Sequence, residues 1–362
     1  MAEVLTPAPS TGLDANGLPA TRPLPTISGL ATATPDSSFD QAQMLNLLGL
    51  ADDPFAEEIF ARCGVRTRGL EVSPERLRTT LQQRTHATED QLVRLATRAV
   101  DVLELESDAV GVVVTANYYS LGGPTLAHRL VDQYGLRSDT DKYHLVGVGC
   151  ASAVPLLRLA SQALRDRPGE QALVVAAESV SGFISPVAPG DEKVKIVGSA
   201  LFGDGAGAAL VSLEPEARGP AIVATAVHQV PGTLDHVRFA VAGEDSHMRI
   251  ARELPELAET GIPALVHEFL GRQGLDTGAI HHWPVHPGGR GILDALRQGL
   301  GLSSEDVAPS AAVLADHGNV GTPSAFFALE RMIADRRPRP GERGLAVTIG
   351  PGVTVGLMLL QW

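Results

Sequence analysis

The stretch from Tyr143 to Leu164 reads YHLVGVGCASAVPLLRLASQAL. An apolar run from His144 to Val148 meets Gly149-Cys150, and apolar residues then recur at Val154, Leu157, Ala160 and Leu164. That change of period predicts a strand, a sharp turn and a buried helix. Cys150 would sit at the start of the helix, where unpaired N–H groups and the helix dipole favour an anion and lower a thiol pKa. A reactive thiolate and a buried structural cysteine both satisfy this local pattern.

Working outward, AVGVVVT (109–115) and QALVVAAES (171–179) are apolar without alternation, as strands buried on both faces of a parallel sheet are. Helical spacing is expected over Phe39–Leu50, Pro54–Cys63, Thr88–Leu105 and Leu126–Tyr134, with a short opening strand at Pro25–Ala31. A polar break near Glu214–Gly219 predicts a boundary, giving halves of 25–215 and 216–362 behind a loose tail at 1–24. The second half repeats the grammar of the first. HHWPVHPGGRGILDALRQGLGL (281–302) reads as strand to helix, and Val313–Ala315 reads as a strand before the turn at Asn319 and another helix. A repeated strand, polar-bearing glycine turn and buried helix suggests a duplicated α/β unit.

Composition narrows the function classes. With 362 residues the chain exceeds one ordinary core, and 44% hydrophobic residues with 38 Gly and 25 Pro suit a packed, turn-rich α/β protein. A net charge of -13 argues against nucleic acid or an anionic membrane as partner, since both need basic patches. The two cysteines, Cys63 and Cys150, suggest no disulfide framework, so a reducing cytoplasm is the expected home. Neither a membrane span nor a secretory signal is expected.

Three residues can carry chemistry together: Cys150, His286 and Asn319, each expected at a turn between a strand and a helix, where open α/β sheets gather ligands. A cysteine nucleophile needs a basic partner, which His286 supplies, and Asn319 offers amide N–H groups to an oxygen that becomes anionic. His281, His282 and His286 lack the companions and spacing of a metal site, so no metal is expected. FGDGAGAA (202–209) lacks dinucleotide-loop spacing and reads as tight packing around a turn. Phe202 before it lines a cavity or fills the core.

The blocks GVGCASAVPLLRLA around Cys150, LFGDGAGAALV (201–211), WPVHPGGRGILD around His286, DHGNVGTPSAFFALERM around Asn319 and IGPGVTVGLML (349–359) resemble, in content and order, the chalcone synthase-like type III polyketide synthases. The resemblance covers nearly the whole chain after the tail. It implies a thiolase-like α/β fold of two similar halves in a layered αβαβα arrangement, and a homodimer. It implies that Cys150 carries the starter and growing chain as thioesters, that His286 keeps Cys150 ionised, and that His286 and Asn319 bind the thioester carbonyl while malonyl-CoA loses CO2. The resulting carbanion attacks the acyl-Cys150 carbonyl in a Claisen condensation, and the product cyclises to a pyrone, a resorcinol or a related ring. CoA thioesters are then substrates, malonyl-CoA and a starter acyl-CoA, and no cofactor is needed.

Pocket residues follow from the same resemblance. Phe202 matches the family's aromatic gate, and Gly198 and Gly291 join the substrate-binding set. A second gate-like phenylalanine appears as Met248. Tyr118 and Tyr119 stand where plant enzymes carry small hydroxyl residues, and Phe183 replaces a threonine, so the cavity is expected to be smaller or redirected. The plant GFGPG becomes TIGPG at Thr348–Gly352. Of the basic CoA-contacting positions, Arg62 is the match. A ketoacyl-ACP synthase III-like enzyme, condensing once on a carrier protein, is the alternative; the negative charge disfavours an acidic carrier and the HPGG block favours the polyketide reading.

Overall fold

The computed structural model describes residues 23–119, 122–184, 187, 193–242 and 245–362, so nearly all of the expected tail at 1–24 lies outside the described residues. In chain order the first half runs β1 (Thr26–Ala33), β2 (Ser38–Asp40), α1 (Gln41–Leu48), α2 (Pro54–Arg62), β3 (Thr67–Gly69), α3 (Pro74–Leu77), α4 (Leu81–Asp101), β4 (Val110–Asn117), α5 (Leu126–Gln133), β5 (Asp141–Val146), α6 (Ala153–Ala163), β6 (Gln171–Glu178), α7 (Lys193–Leu201) and β7 (Gly205–Ser212). It continues through β8 (Ala221–Gln229), β9 (Val237–Ala242), β10 (Asp245–Ile250), α8 (Leu254–Glu256), α9 (Ile262–Arg272), α10 (Arg290–Gly299), α11 (Ala308–His317), α12 (Ser324–Arg336), β11 (Arg343–Gly350) and β12 (Thr354–Gln361).

The main sheet has the order β11-β12-β8-β1-β7-β6-β4-β5. Its two sides repeat one another. β1 is antiparallel to β7, β7 antiparallel to β6, and β6 parallel to β4. In the same succession β8 is antiparallel to β12, β12 antiparallel to β11, and β11 meets the segment at 282–285 in parallel bridges. A single pairing, Thr26 with Ala221, joins the sides.

Side-chain alternation along these strands builds the layers, because successive residues face opposite sides of a sheet. Leu345, Val347 and Ile349 of β11 pack with Val266 and Leu270 of α9 and Leu293 and Leu296 of α10, while Ala346 points the other way. On the other side Val113, Leu173 and Val175 face α4 and α5. Between the two sides of this sheet, which face each other as two layers, lie α6 and α12, both packed on strands of both sides. The resulting order of helix, sheet, helix, sheet, helix is the thiolase-like arrangement expected from the resemblance. Small residues make the central layer close: a Cβ on Gly207 would stand 2.5 Å from the Cβ of Phe326 in α12.

Local signals explain most boundaries. Asp40 and Thr80 cap α1 and α4 in reciprocal capping boxes with Gln43 and Gln83. That places the start of α4 seven residues before the expected Thr88. One expectation fails outright. Val313–Ala315 belongs to α11, where Val313 and Leu314 form a buried helical face. A short apolar run does not distinguish strand from buried helix, and here the helix prevails. Asn319 therefore sits between two helices.

Candidate active site

Cys150 occupies one 3-10 turn, Gly149–Ala151, between β5 and α6. The turn is clasped by the end of β11. Gly149 has φ of +60°, and a Cβ there would lie 2.9 Å from Cδ of Pro351 and 3.0 Å from the Tyr118 ring. A Cβ on Gly350 would reach to 2.7 Å from the Ala151 nitrogen. The Gly-Pro-Gly turn between β11 and β12 thus presses the Cys150 backbone into place.

His286 follows the segment bridged to β11. Its N–H donates to the Val347 carbonyl at 2.8 Å, and its own carbonyl accepts from Gly288 N at 2.9 Å. Gly288 lies flat on the imidazole, where a Cβ would be 3.1 Å from Nε2. Asn319 is tied to the end of α7: its N–H donates to the Leu201 carbonyl at 2.9 Å, and its carbonyl accepts from Gly203 N at 3.1 Å. The Asn319 carboxamide is oriented as well. Its Oδ1 accepts from Gly321 N at 2.9 Å and Ser324 Oγ at 3.1 Å, while Nδ2 donates only at 3.4 Å, to the Gly288 carbonyl. Anchoring the oxygen leaves the nitrogen as the end available to a ligand.

The three side chains line one cavity of about 130 Å³, although 136 and 33 residues separate them along the chain. Cys150 Sγ stands 3.8 Å from Asn319 Oδ1. His286 and Asn319 are buried at 3% and 4% exposure, while Cys150 keeps partial access, which it has to the cavity. Phe202, Gly198, Met248, Tyr118 and Phe183 line the same space.

Tyr119 and Gly291 do not line it, and Arg62, expected to contact CoA, lies outside it. Tyr119 stands behind Phe183, edge-on at 5.3 Å between ring centroids. Arg62 projects from α2 into solvent and pairs with Glu58 at 2.7 Å. Gly291 lies in the first turn of α10, away from the cavity lining. Counting residues from Cys150 locates the Tyr119 backbone, and the direction of its side chain is set by packing that spacing does not encode.

Burial dominates the electrostatics. The Cys150 thiol is pushed up to about 12, first by enclosure and then by the charge of Glu178, and these outweigh the backbone N–H bonding of the helix start. This reverses the direction expected from the helix N-terminus alone. Enclosure likewise pulls His286 down to about 4. Both shifts favour the neutral thiol and the neutral imidazole, and among the described residues His286 Nδ1 has no hydrogen-bond partner.

Glu178 is a residue that the sequence reading missed. It ends β6, lines the cavity, accepts from Tyr118 N at 3.0 Å and from the Thr322 hydroxyl, and burial raises it to about 7. Its signal was a lone carboxylate ending an otherwise apolar strand. The β9–β10 hairpin was also missed; it supplies Phe239, Met248 and Ile250 to the lining. Phe239 closes an aromatic chain, edge-on to Tyr118 at 5.6 Å and to Phe183 at 4.9 Å.

The other histidines of HHWPVH are spent elsewhere: His282 Nε2 meets Glu342 at 2.8 Å and His281 Nδ1 accepts from Arg343 N. Among the described residues no group of three or more His, Cys, Asp or Glu side chains is placed to hold a metal ion. Nor, among them, is any helix long and apolar enough to cross a membrane.

A layered thiolase-like fold with a cysteine, a histidine and an asparagine at one cavity defines the class as acyl-transferring condensing enzymes. Within that class the family of FAE1/Type III polyketide synthase-like proteins matches residues 33–257, and the C-terminal domain of chalcone and stilbene synthases matches 221–362. The chain belongs to the type III polyketide synthases and is an acyltransferase. Relatives include a 3,5-dihydroxyphenylacetyl-CoA synthase of Amycolatopsis orientalis, 27% identical over 92% of this chain and 93% of its own length. An alpha-pyrone synthesis polyketide synthase-like protein of Mycobacterium tuberculosis is 29% identical over 92% and 90%. Among solved structures, PKS-I of the brown alga Ectocarpus siliculosus superposes with a TM-score of 0.86 at 25% identity, covering 94% of this chain and 99% of that one. The 1,3,6,8-tetrahydroxynaphthalene synthase of Streptomyces coelicolor gives 0.85 at 25% identity, covering 93% and 99%.

Proposed function

We propose that Cys150, His286 and Asn319 carry out iterative decarboxylative condensation of malonyl-CoA onto a cysteine-bound starter. The observation that carries this reading is the convergence of the three side chains on one enclosed cavity. Because burial favours the neutral thiol and the neutral imidazole, the first step couples two events. Cys150 sulfur attacks the starter thioester carbonyl as its proton passes to His286; the C–S bond to CoA breaks, and CoA thiolate takes the proton as it leaves. The imidazole is then neutral again and able to donate.

Malonyl-CoA next places its thioester carbonyl between His286 and the Asn319 amide nitrogen. The bond from the methylene carbon to the carboxylate breaks, CO2 departs, and the electron pair moves onto the carbonyl oxygen as an enolate. Both donors act mainly on this oxygen, whose charge exists only after the bond begins to break, so they stabilise the transition state more than the bound substrate. The wall of Phe202 and Met248 keeps water from the carboxylate, which favours CO2 loss. The enolate carbon then attacks the acyl-Cys150 carbonyl, and the sulfur is released for the next round.

CoA thioesters are thus substrates rather than cofactors, and the half-units at 25–215 and 216–362 each supply part of the site. A homodimer is supported by the free edge of β5, where Tyr143 is 37% and Val146 49% exposed. The free thiols of Cys63 and Cys150 suit a reducing, cytoplasmic setting.

The test is incubation with labelled malonyl-CoA and short, long and aromatic acyl-CoAs, followed by product mass analysis. Labelled products longer than the starter by two or more two-carbon units, absent for Cys150→Ala, are expected. Products stopping at one extension, or an acyl adduct surviving in Cys150→Ala, would overturn the reading.

A further inference from the structure

Helix α7 walls the cavity with one face. Lys195, Gly198, Ser199 and Phe202 line it, and their spacing puts them on a single side of a helix. Phe202 continues the helical turn, its N–H donating to the Gly198 carbonyl at 3.2 Å. The inner end of this face is fixed at Asn319, whose N–H donates to the Leu201 carbonyl at 2.9 Å and which is bridged to Phe202. From Phe202 the face runs outward to Ser199, about 4.5 Å along the axis, and to Lys195, about 10.5 Å along it.

The wall beside this face is apolar. α7 packs on β10, and the hairpin gives Phe239, Met248 and Ile250 to the cavity. A Cβ on Gly198 would stand 3.9 Å from the Cβ of Met248, so a side chain there would fill the space between helix and hairpin. Ser199 is 9% exposed and Lys195 is half-buried. Polar groups enclosed along one side of an apolar passage are costly unless polar atoms meet them. Lys195 has other interactions in the chain, and an ammonium with three donors can keep those and still donate to a ligand.

We propose that this face of α7 is a guide for the growing polyketide, whose carbonyl oxygens accept from Ser199 Oγ and Lys195 Nζ. The inference rests on the condensation reading and names the species that the cavity is built to hold. A poly-β-keto chain carries a carbonyl on every second carbon, so each unit advances an extended chain by about 2.5 Å. The rise from Ser199 to Lys195, about 6 Å, therefore spans about two units. An alkyl starter offers no oxygen to either donor, and the guide engages only as units are added. Ser199, nearer to Asn319, meets a carbonyl close to the thioester, and Lys195 meets one further along. Held at both points, the chain stays extended along the helix instead of folding back into a ring, and further units are added before it closes.

The experiment incubates the full chain with hexanoyl-CoA and labelled malonyl-CoA and reads the products by mass, normalised to the acyl-Cys150 that each variant forms. Ser199→Ala and Lys195→Met should each lower the ratio of products with two or more added units to those with one by about tenfold, the factor for one lost hydrogen bond. Ser199→Thr and Lys195→Arg keep a donor and should restore the ratio. Alanine is the better helix former, so Ser199→Ala is expected to fold, which thermal melting checks. A ratio unchanged in both variants, or one that the threonine and arginine variants fail to restore, would overturn the guide and leave the condensation reading standing. A wild type that adds no unit at all would overturn both.

Discussion

The Glu178 carboxylate faces the same cavity as the Cys150 thiol, and after burial its charge is the main influence holding that thiol un-ionised. Since Glu178 itself titrates near 7, the influence is present only above that pH. Glu178→Gln should therefore accelerate alkylation of Cys150 by iodoacetamide above pH 7 and leave it little changed below. The rate against pH, followed by mass spectrometry, checks this, and equal acceleration at pH 6 and 8 would contradict it.

His286 and Glu178 pull stability in opposite directions. His286 is depressed to about 4, so the unfolded chain binds its proton first, and stability is lost as pH falls from about 6.5 to 4. Glu178 is raised to about 7, so its contribution is full below about 4.5 and lost as pH rises through 7. Each is worth up to about 3 kcal/mol at its limit. His286→Gln should gain stability over the wild type at pH 5 compared with pH 8, as read by urea unfolding. A pH-independent difference would refute the assignment.

In the proposed mechanism Asn319 acts through its amide nitrogen only while Oδ1 is held. Asn319→Ala should lower malonyl-CoA decarboxylation by about 10² to 10³. Ser324→Ala removes one of the two anchors, the hydroxyl at 3.1 Å. It should cost about tenfold in kcat, near the worth of one hydrogen bond in the site, with KM little altered. An effect confined to KM would contradict the role.

Phe183 touches both Tyr119 and Phe239 edge-on. Phe183→Ala should remove about 1 kcal/mol for each lost ring pair and enlarge the cavity. Competition between short and long acyl-CoAs should then shift toward the longer starter. Unchanged selectivity in a folded variant would show that this wall does not limit the substrate.

Gly350→Ala would force its new Cβ against the Ala151 nitrogen and the Val148 carbonyl, at 2.7 and 3.0 Å. The core of β11 is otherwise untouched, so the protein should fold with a modest drop in melting temperature, while acyl transfer to Cys150 falls steeply. Displacing a reacting atom by about 1 Å costs about 10² in rate. Full activity in this variant would show that the clasp is dispensable.

Periodicity carried the strands 109–115 and 171–179 and the helix after Cys150, because fully buried strands and an amphipathic helix leave distinct apolar repeats. Val313–Ala315 failed for want of length: three apolar residues fit either a strand or the face of α11. The β9–β10 hairpin escaped because its alternating runs, Val237-Arg238-Phe239 and Met248-Arg249-Ile250, are short, and its Phe239 gains meaning only from rings at 118 and 183.

The chain's own text was enough to single out Cys150, His286 and Asn319 as candidates, since each proposed chemistry requires a particular residue type at a glycine-bearing turn, and residue type is local information. Tertiary structure alone decided the enclosure that favours the neutral forms of thiol and imidazole, the presence of Glu178 beside them and the turning of Tyr119 away from the cavity. Those outcomes depend on desolvation and on side-chain direction. Both are sums over neighbours that only the folded packing brings together.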